Sequence, residues 1–263
     1  MSYRMLALDL DNTLLSRDLT ATPAAREGVA RLLNRGVIVT LATGRMFPSA
    51  RKYAREFGIT APLATYNGAL IRSADGSFPE ILRPLPREKV EKIIAFCEEH
   101  RHYVQLYHED TLICARYTKE TAIDPDLLNC PYREVGDLKT AAHLTTPKMV
   151  MVVEPAEAPA ITEALKKAVG DDLYIAASKN YLIEIMRRDV SKATALQLIC
   201  EHLGVEAEEV VCCGDNSNDA AMVQWAGMGV AMGNASPALK AVADYTAAAA
   251  YGDGVAEAIR RFF

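Results

Sequence analysis

Apolar and polar positions along this chain follow two different periods. Short continuous apolar runs occur at Met5 to Leu8, Val37 to Ala42 and Val210 to Cys213. Runs of that length suit strands buried on both faces of a parallel sheet. Helical spacing lies between them. Thr22 followed by Pro23 has the form of an N-cap with proline at the first helical position; Val29, Leu32 and Leu33 supply an apolar face, and Gly36 ends the helix. The same pattern predicts a helix from about Pro48 to Phe57 stopped by Gly58, and a strand from Leu63 to Thr65 broken at Asn67-Gly68. A hairpin arm follows from Ala69 to Arg72, turning at Ala74-Asp75-Gly76.

The texture changes near Pro84 and Pro86. A helix carrying Val90, Ile93, Ile94 and Cys97 precedes two strands, Tyr103 to Tyr107 and Thr111 to Ala115, around a His108-Glu109-Asp110 turn. Lys119 to Thr146 reads as polar and irregular. Lys148 to Val153, a helix from about Ala156 to Val169, Tyr174 to Ala177 and Leu182 to Met186 complete this unit. After Asp189 the first texture returns. Ser191 caps a helix that runs to His202 and stops at Gly204, and Val210 to Cys213 is a strand ending in Gly214-Asp215. A helix from about Asn218 to Ala226, a strand from Gly229 to Met232, a helix after Ser236-Pro237 and a last helix from Gly254 finish the chain. The expected fold class is α/β. Residues 1–83 and 189–263 form a parallel sheet flanked by helices, and residues 84–188 form a second α/β unit inserted into it. No internal repeat is visible.

Composition removes several function classes. With 29 basic and 34 acidic residues, the net charge is −5. A mildly acidic chain without a long basic run argues against nucleic-acid binding, which needs many lysine and arginine contacts to phosphates. Met5 to Leu8 is too short for a signal core or a membrane span, and charges interrupt every longer apolar stretch. The six cysteines form no CxxC pair and no zinc-like spacing; four sit among apolar neighbours and read as small buried apolar residues, and the protein reads as reduced and cytoplasmic. A monomer or small homo-oligomer is expected.

The candidate chemistry gathers where strands end. Asp9 and Asp11 follow the first strand, and side chains two apart on an extended backbone face the same way. Two such carboxylates repel unless a cation lies between them. Thr43-Gly44-Arg45 follows the second strand. Lys192 sits in the first turn of the Ser191 helix, unfavourable for the helix dipole unless an anion offsets it. Gly214-Asp215-Asn216-Ser217-Asn218-Asp219 follows the Val210 strand. Each piece alone also reads as a loop acid, a turn hydroxyl, a solvated lysine or a capping acid. Together they place carboxylates, a hydroxyl and a cation at strand ends, where ligands of open parallel sheets bind.

This set of motifs, in this order, resembles the haloacid-dehalogenase superfamily. The residues that carry it are Asp9-Leu10-Asp11-Asn12-Thr13-Leu14, Thr43-Gly44-Arg45, Lys192 and Gly214-Asp215-Asn216-Ser217-Asn218-Asp219. Tyr66-Asn67-Gly68-Ala69, the long insert after it, and Gly229-Val230-Ala231-Met232-Gly233-Asn234-Ala235 are similar to the Cof-type phosphatase branch. Asn12 stands where the superfamily usually has glycine, and Ala193 where glycine is common. The resemblance implies a Rossmann-like core with an inserted α/β cap domain that acts as a substrate lid. It implies a Mg²⁺-dependent phosphatase of small-molecule phosphomonoesters, sugar or cofactor phosphates, working through an aspartyl phosphate. Asp9 would be the nucleophile and Asp11 the acid and base. Asp9, Asp215 and the main-chain carbonyl of Asp11 would hold Mg²⁺. Leu10, Asp11, Thr43, Gly44, Lys192 and Asn218 would contact the phosphoryl group, Asp219 would hold Lys192 or metal-bound water, and Arg45 and Asn67 would meet substrate. Thr43 and Lys192 count among the catalytic set. A phosphotransferase or mutase with the same covalent step fits the same residues. A non-catalytic metabolite-binding module predicts loss of nucleophile, lysine or metal carboxylate, and none is lost.

Overall fold

The computed structural model describes residues 3–123 and 130–263. In chain order the elements are β1 (Met5–Leu8), α1 (Pro23–Asn34), β2 (Ile38–Leu41), α2 (Phe47–Phe57), β3 (Leu63–Thr65), β4 (Leu70–Arg72) and β5 (Ile81–Leu82). Next come α3 (Arg87–His100), β6 (Tyr103–His108), β7 (Thr111–Cys114), α4 (Lys119–Ala122), β8 (Tyr132–Glu134), β9 (Met149–Val152), α5 (Ala158–Val169), β10 (Leu173–Lys179) and β11 (Leu182–Arg187). The chain ends with α6 (Lys192–Leu203), β12 (Val210–Gly214), α7 (Ala220–Trp225), β13 (Met228–Ala231), α8 (Pro237–Lys240), β14 (Tyr245–Thr246) and α9 (Tyr251–Phe262). Two compact units result, one from Met1–Ile81 with Ser191–Phe263, the other from Leu82–Val190.

The first unit is built on a five-stranded sheet in the order β14-β13-β12-β1-β2, every pair parallel. The expected helix-flanked parallel sheet is therefore present. β1 lies between β12 and β2, with Leu8 in register with Cys213 and Leu41. This register decides where the chemistry falls, because it brings Asp9, Thr43 and Asp215 to one edge of three adjacent strands. Met5, Leu6, Ala7 and Leu8 are fully buried, as are Val210, Val211, Cys212 and Cys213, as continuous apolar runs in a covered parallel sheet must be. At about 2 kcal/mol for each large apolar side chain buried, these strands anchor the sheet. Thr22 caps α1 with its hydroxyl on the Ala25 N–H, 3.3 Å, and Pro lies in the first turn. α1 and α2 end at Arg35-Gly36 and at left-handed Gly58.

The second unit carries a six-stranded sheet in the order β10-β11-β9-β6-β7-β8. α3 and α5 contribute Val90, Ile93, Ile94, Ile161 and Leu165 to a core shared with Leu106, Met149, Met151, Ile183 and Ile185.

Several expectations are corrected. The Lys119–Thr146 stretch contains α4, the edge strand β8 and a 3₁₀ turn at Leu138–Ala141; residues 124–129 of that stretch fall outside the described residues. β4 pairs antiparallel with β3, so Tyr66–Gly68 is a hairpin turn as well as a break. The helix expected from Asn218 begins as a 3₁₀ turn, Ser217–Asp219, before α7. The last helix starts at Tyr251, three residues early, because the Asn234 side chain accepts the Tyr251 N–H at 3.0 Å and so satisfies one orphan donor of that terminus.

Candidate active site

Asp9 is the first residue past β1 and is almost wholly buried. Its N–H donates to the Cys213 carbonyl, 3.0 Å, which fixes the backbone to β12. Asn12, at φ 59°, turns the chain back, and the Leu14 and Leu15 N–H groups bond the carbonyls of Asp9 and Leu10. Asparagine tolerates that left-handed angle better than most residues, which accounts for its standing in for glycine here. Asn234 donates to the Asn12 carbonyl at 2.9 Å.

Lys192 is the first residue of α6. Ser191 caps the helix through a reciprocal pair: its hydroxyl accepts the Thr194 N–H, 3.1 Å, and the Thr194 hydroxyl accepts the Ser191 N–H, 3.0 Å. The lysine side chain is fully buried. Its Nζ donates to Asp9 Oδ1 at 2.5 Å and to Asp219 Oδ1 at 2.6 Å. The dipole penalty expected of a cation at this terminus is thus offset by two carboxylates. Asp219 is fixed in turn, because its Oδ2 accepts the N–H groups of Asp215 and Asn216, both at 3.0 Å. A side chain on Gly214 would have its Cβ 2.5 Å from the Asp219 Cβ, so only a bare α-carbon lets Asp219 fold beneath the β12 terminus.

Asp9, Asp215 and Asp219 offer carboxylate oxygens within 4.8 Å of one another, the one such cluster of metal-ligating side chains among the described residues. Burial pushes the Asp215 carboxyl up to about 7; the Asp219 charge adds to this, and Lys192 opposes it. Burial likewise holds Asp9 well above the usual carboxylate range against the pull of Lys192. Burial alone would lower the lysine, but Asp219 and Asp9 outweigh it and keep the ammonium protonated. Three carboxylates face one ammonium here, so two negative charges lack a partner. A divalent, oxygen-seeking cation fits that donor set. Both Asp219 oxygens are engaged, by Lys192 and by backbone N–H groups, so Asp9 and Asp215 are the carboxylates left to hold it.

Asp11 lies apart from that trio. Its carboxylate receives Arg45 in a two-point ion pair, Nε to Oδ2 at 2.8 Å and Nη2 to Oδ1 at 2.6 Å. Arg45 is buried, donates also to Ser49 Oγ at 3.1 Å and stacks over Tyr53. Asp11 keeps 41% of its side chain exposed. Thr43 is buried with its hydroxyl accepting the Arg45 N–H, 3.2 Å. Asn67 is buried next to Gly44 and accepts the Asn218 amide at 3.1 Å. Asp9, Lys192, Asp215 and Asp219 are therefore gathered on one centre, while Arg45 and Asn67 are bonded to Asp11 and Asn218. Sequence reading gave no part to Ser49 or to the bridging of Asn234. Ser49 lies in the first turn of α2 while Arg45 precedes that helix, so no helical spacing marks the two as partners.

Comparison with known proteins gives the family. A model of the haloacid dehalogenase-like hydrolase family matches residues 6–259. The 5-amino-6-(5-phospho-D-ribitylamino)uracil phosphatase YitU of Bacillus subtilis is 30% identical over 262 residues, covering 98% of this chain and 97% of that protein. An HMP-PP phosphatase of Yersinia pestis is 28% identical over 247 residues, covering 90% and 86%. The crystal structure of a haloacid dehalogenase-like hydrolase from Bacteroides thetaiotaomicron superposes over 100% of both chains with a TM-score of 0.88 and 28% identity. With a family model spanning nearly its whole length, the chain belongs to the haloacid dehalogenase-like hydrolases.

Proposed function

We propose that this hydrolase is a Mg²⁺-dependent phosphatase that cleaves small phosphomonoesters through an aspartyl phosphate on Asp9. The observation that carries the reading is the seat of Lys192, whose single ammonium holds one oxygen of Asp9 and one of Asp219. Asp9 Oδ1 is turned onto the lysine, leaving Oδ2 to attack phosphorus in line. A carboxylate needs no base to become that nucleophile. The P–O bond to the leaving group breaks as the O–P bond to Asp9 forms. Asp11, held as a carboxylate by the Arg45 fork, takes up a proton from solvent once it swings off that fork and gives it to the leaving oxygen. It later takes one from the water that splits the acyl phosphate. Thr43, Lys192 and the main-chain N–H groups of Leu10 and Asp11 are the donors to the phosphoryl oxygens. A Mg²⁺ held by Asp9, Asp215 and the Asp11 carbonyl would screen the nucleophile from the phosphate anion. The activities of the relatives, on a phosphoribitylamino-uracil and on HMP-PP, support small phosphate esters as the substrate class. In this reading the inserted unit is the lid that chooses among leaving groups.

A panel of sugar and cofactor phosphates, assayed for Mg²⁺-dependent phosphate release, tests the reading. Asp9→Asn is expected to keep its circular dichroism and lose turnover by at least about 10³-fold, as removal of a covalent nucleophile does. Turnover by that variant at the wild-type rate rejects the assignment.

A further inference from the structure

Three consecutive residues of the β3–β4 turn have positive φ: Tyr66 at 51°, Asn67 at 54° and Gly68 at 100°. Two non-glycine residues in that region, side by side, are strained, and such strain persists only where surroundings impose it. The surroundings here are three loops of the site. The Tyr66 N–H donates to the Arg45 carbonyl at 3.0 Å, and the Asn67 N–H to the Thr43 carbonyl at 2.8 Å. The Asn67 side chain accepts the amide of Asn218, 3.1 Å. On the far side the turn meets the start of α6. A Cβ on Gly68 would lie 2.2 Å from the Ser191 carbonyl oxygen and 3.1 Å from the Ala195 Cβ. Ser191 is the N-cap and Lys192 the next residue, so the bare α-carbon of Gly68 sits against the backbone that carries the lysine.

We propose that the Tyr66-Asn67-Gly68 turn is a positioning element for Lys192: by admitting the Ser191 carbonyl against Gly68, it sets the depth at which α6 begins and so seats the ammonium between Asp9 and Asp219. The left-handed run is what aims Gly68 at the helix, and its N–H groups tie that aim to the loop bearing Thr43. No residue of the turn needs to touch a reacting atom. The catalytic consequence rests on the phosphoryl-transfer reading given above, whereas the seating of the lysine does not.

Gly68→Ala is the direct test, with two readouts. Lys192, buried and doubly paired, is expected to resist reductive methylation in the wild type and to become modified in Gly68→Ala, as followed by peptide mass spectrometry. With the best phosphate ester of the panel, kcat is expected to fall at least about tenfold with KM little changed, as when a prearranged donor is displaced. Gly204→Ala is the control. It strains the other end of the same helix at φ 62° with nothing within 4 Å of the added methyl, and is expected to leave Lys192 protected and kcat within about twofold. Should Gly68→Ala not fold, Ala195→Val enlarges the helix side of the same contact and takes its place with both readouts. Lys192 as protected as in the wild type, kcat unchanged, or an equal loss in Gly204→Ala each overturns the proposal. An Asp9→Asn protein as active as the wild type would overturn the phosphatase reading instead, while the methylation result still decides the seating.

Discussion

In an unfolded chain the Asp215 carboxyl titrates near 3.8, and burial in the site pushes it up to about 7. Between those values the folded protein holds a proton that the unfolded chain has lost. The contribution to stability is complete below about pH 4 and disappears as pH rises through about 7. Asp215→Asn cannot titrate. In metal-free buffer it is expected to be more stable than the wild type at pH 7.5, with the gap closing toward pH 4, as read by urea midpoints. The same proton competes with a cation. Mg²⁺ affinity is expected to rise from pH 5 to about 7 and then level off, with proton release visible by calorimetry in buffers of different ionisation enthalpy. Lys192→Met leaves buried Asp9 and Asp219 and half-buried Asp215 facing one another and is expected to cost roughly 3–5 kcal/mol in denaturant unfolding. Sequence motifs made Asp9, Asp11, Lys192 and Asp215 legible one by one. Their pairings were not. Asp9 and Lys192 are 183 positions apart and Asp11 and Arg45 are 34 apart. Nothing local says that Arg45 turns onto Asp11.

At the scale of elements, what chain chemistry writes locally could be read. Thr22 and Ser191 were legible as caps, and Gly36, Gly58 and Gly204 as stops, because each satisfies or relaxes backbone within its own turn. β8 and β14 were not, since two or three residues show no periodicity, and β8 is exposed throughout. Strands that short are defined by the neighbour that pairs with them. The two caps also separate stability from function. Thr22→Ala and Ser191→Ala are each expected to cost about 1 kcal/mol in urea unfolding. Only Ser191→Ala should also reduce kcat, because Ser191 starts the helix whose next residue is Lys192, whereas α1 carries none of the candidate site residues.

For the whole molecule, the alternation of two textures made the insertion visible, and each unit has its own apolar core. A unit boundary is readable when composition shifts, as it does near Pro84 and after Asp189. The six cysteines are buried and none is in a disulfide, and burial pushes the Cys97 and Cys213 thiols up to about 12. Reducing agent is expected to leave the melting temperature unchanged. Under native conditions a thiol reagent should titrate fewer than one group per chain within minutes, rising to six in denaturant.

The place of β12 between β1 and β13 also has a consequence for biosynthesis. β1 leaves the ribosome long before β12, and β2 can cover one of its edges. Its other partner is encoded about 200 residues later, a wait of roughly 10 to 40 s at ordinary translation speeds. Through that interval the apolar Met5–Leu8 segment keeps an open hydrogen-bonding edge, while the whole inserted unit is synthesised and free to fold. Nascent chains truncated before Val210 are therefore expected to need a chaperone to stay soluble, and those extended past β13 to be released from it.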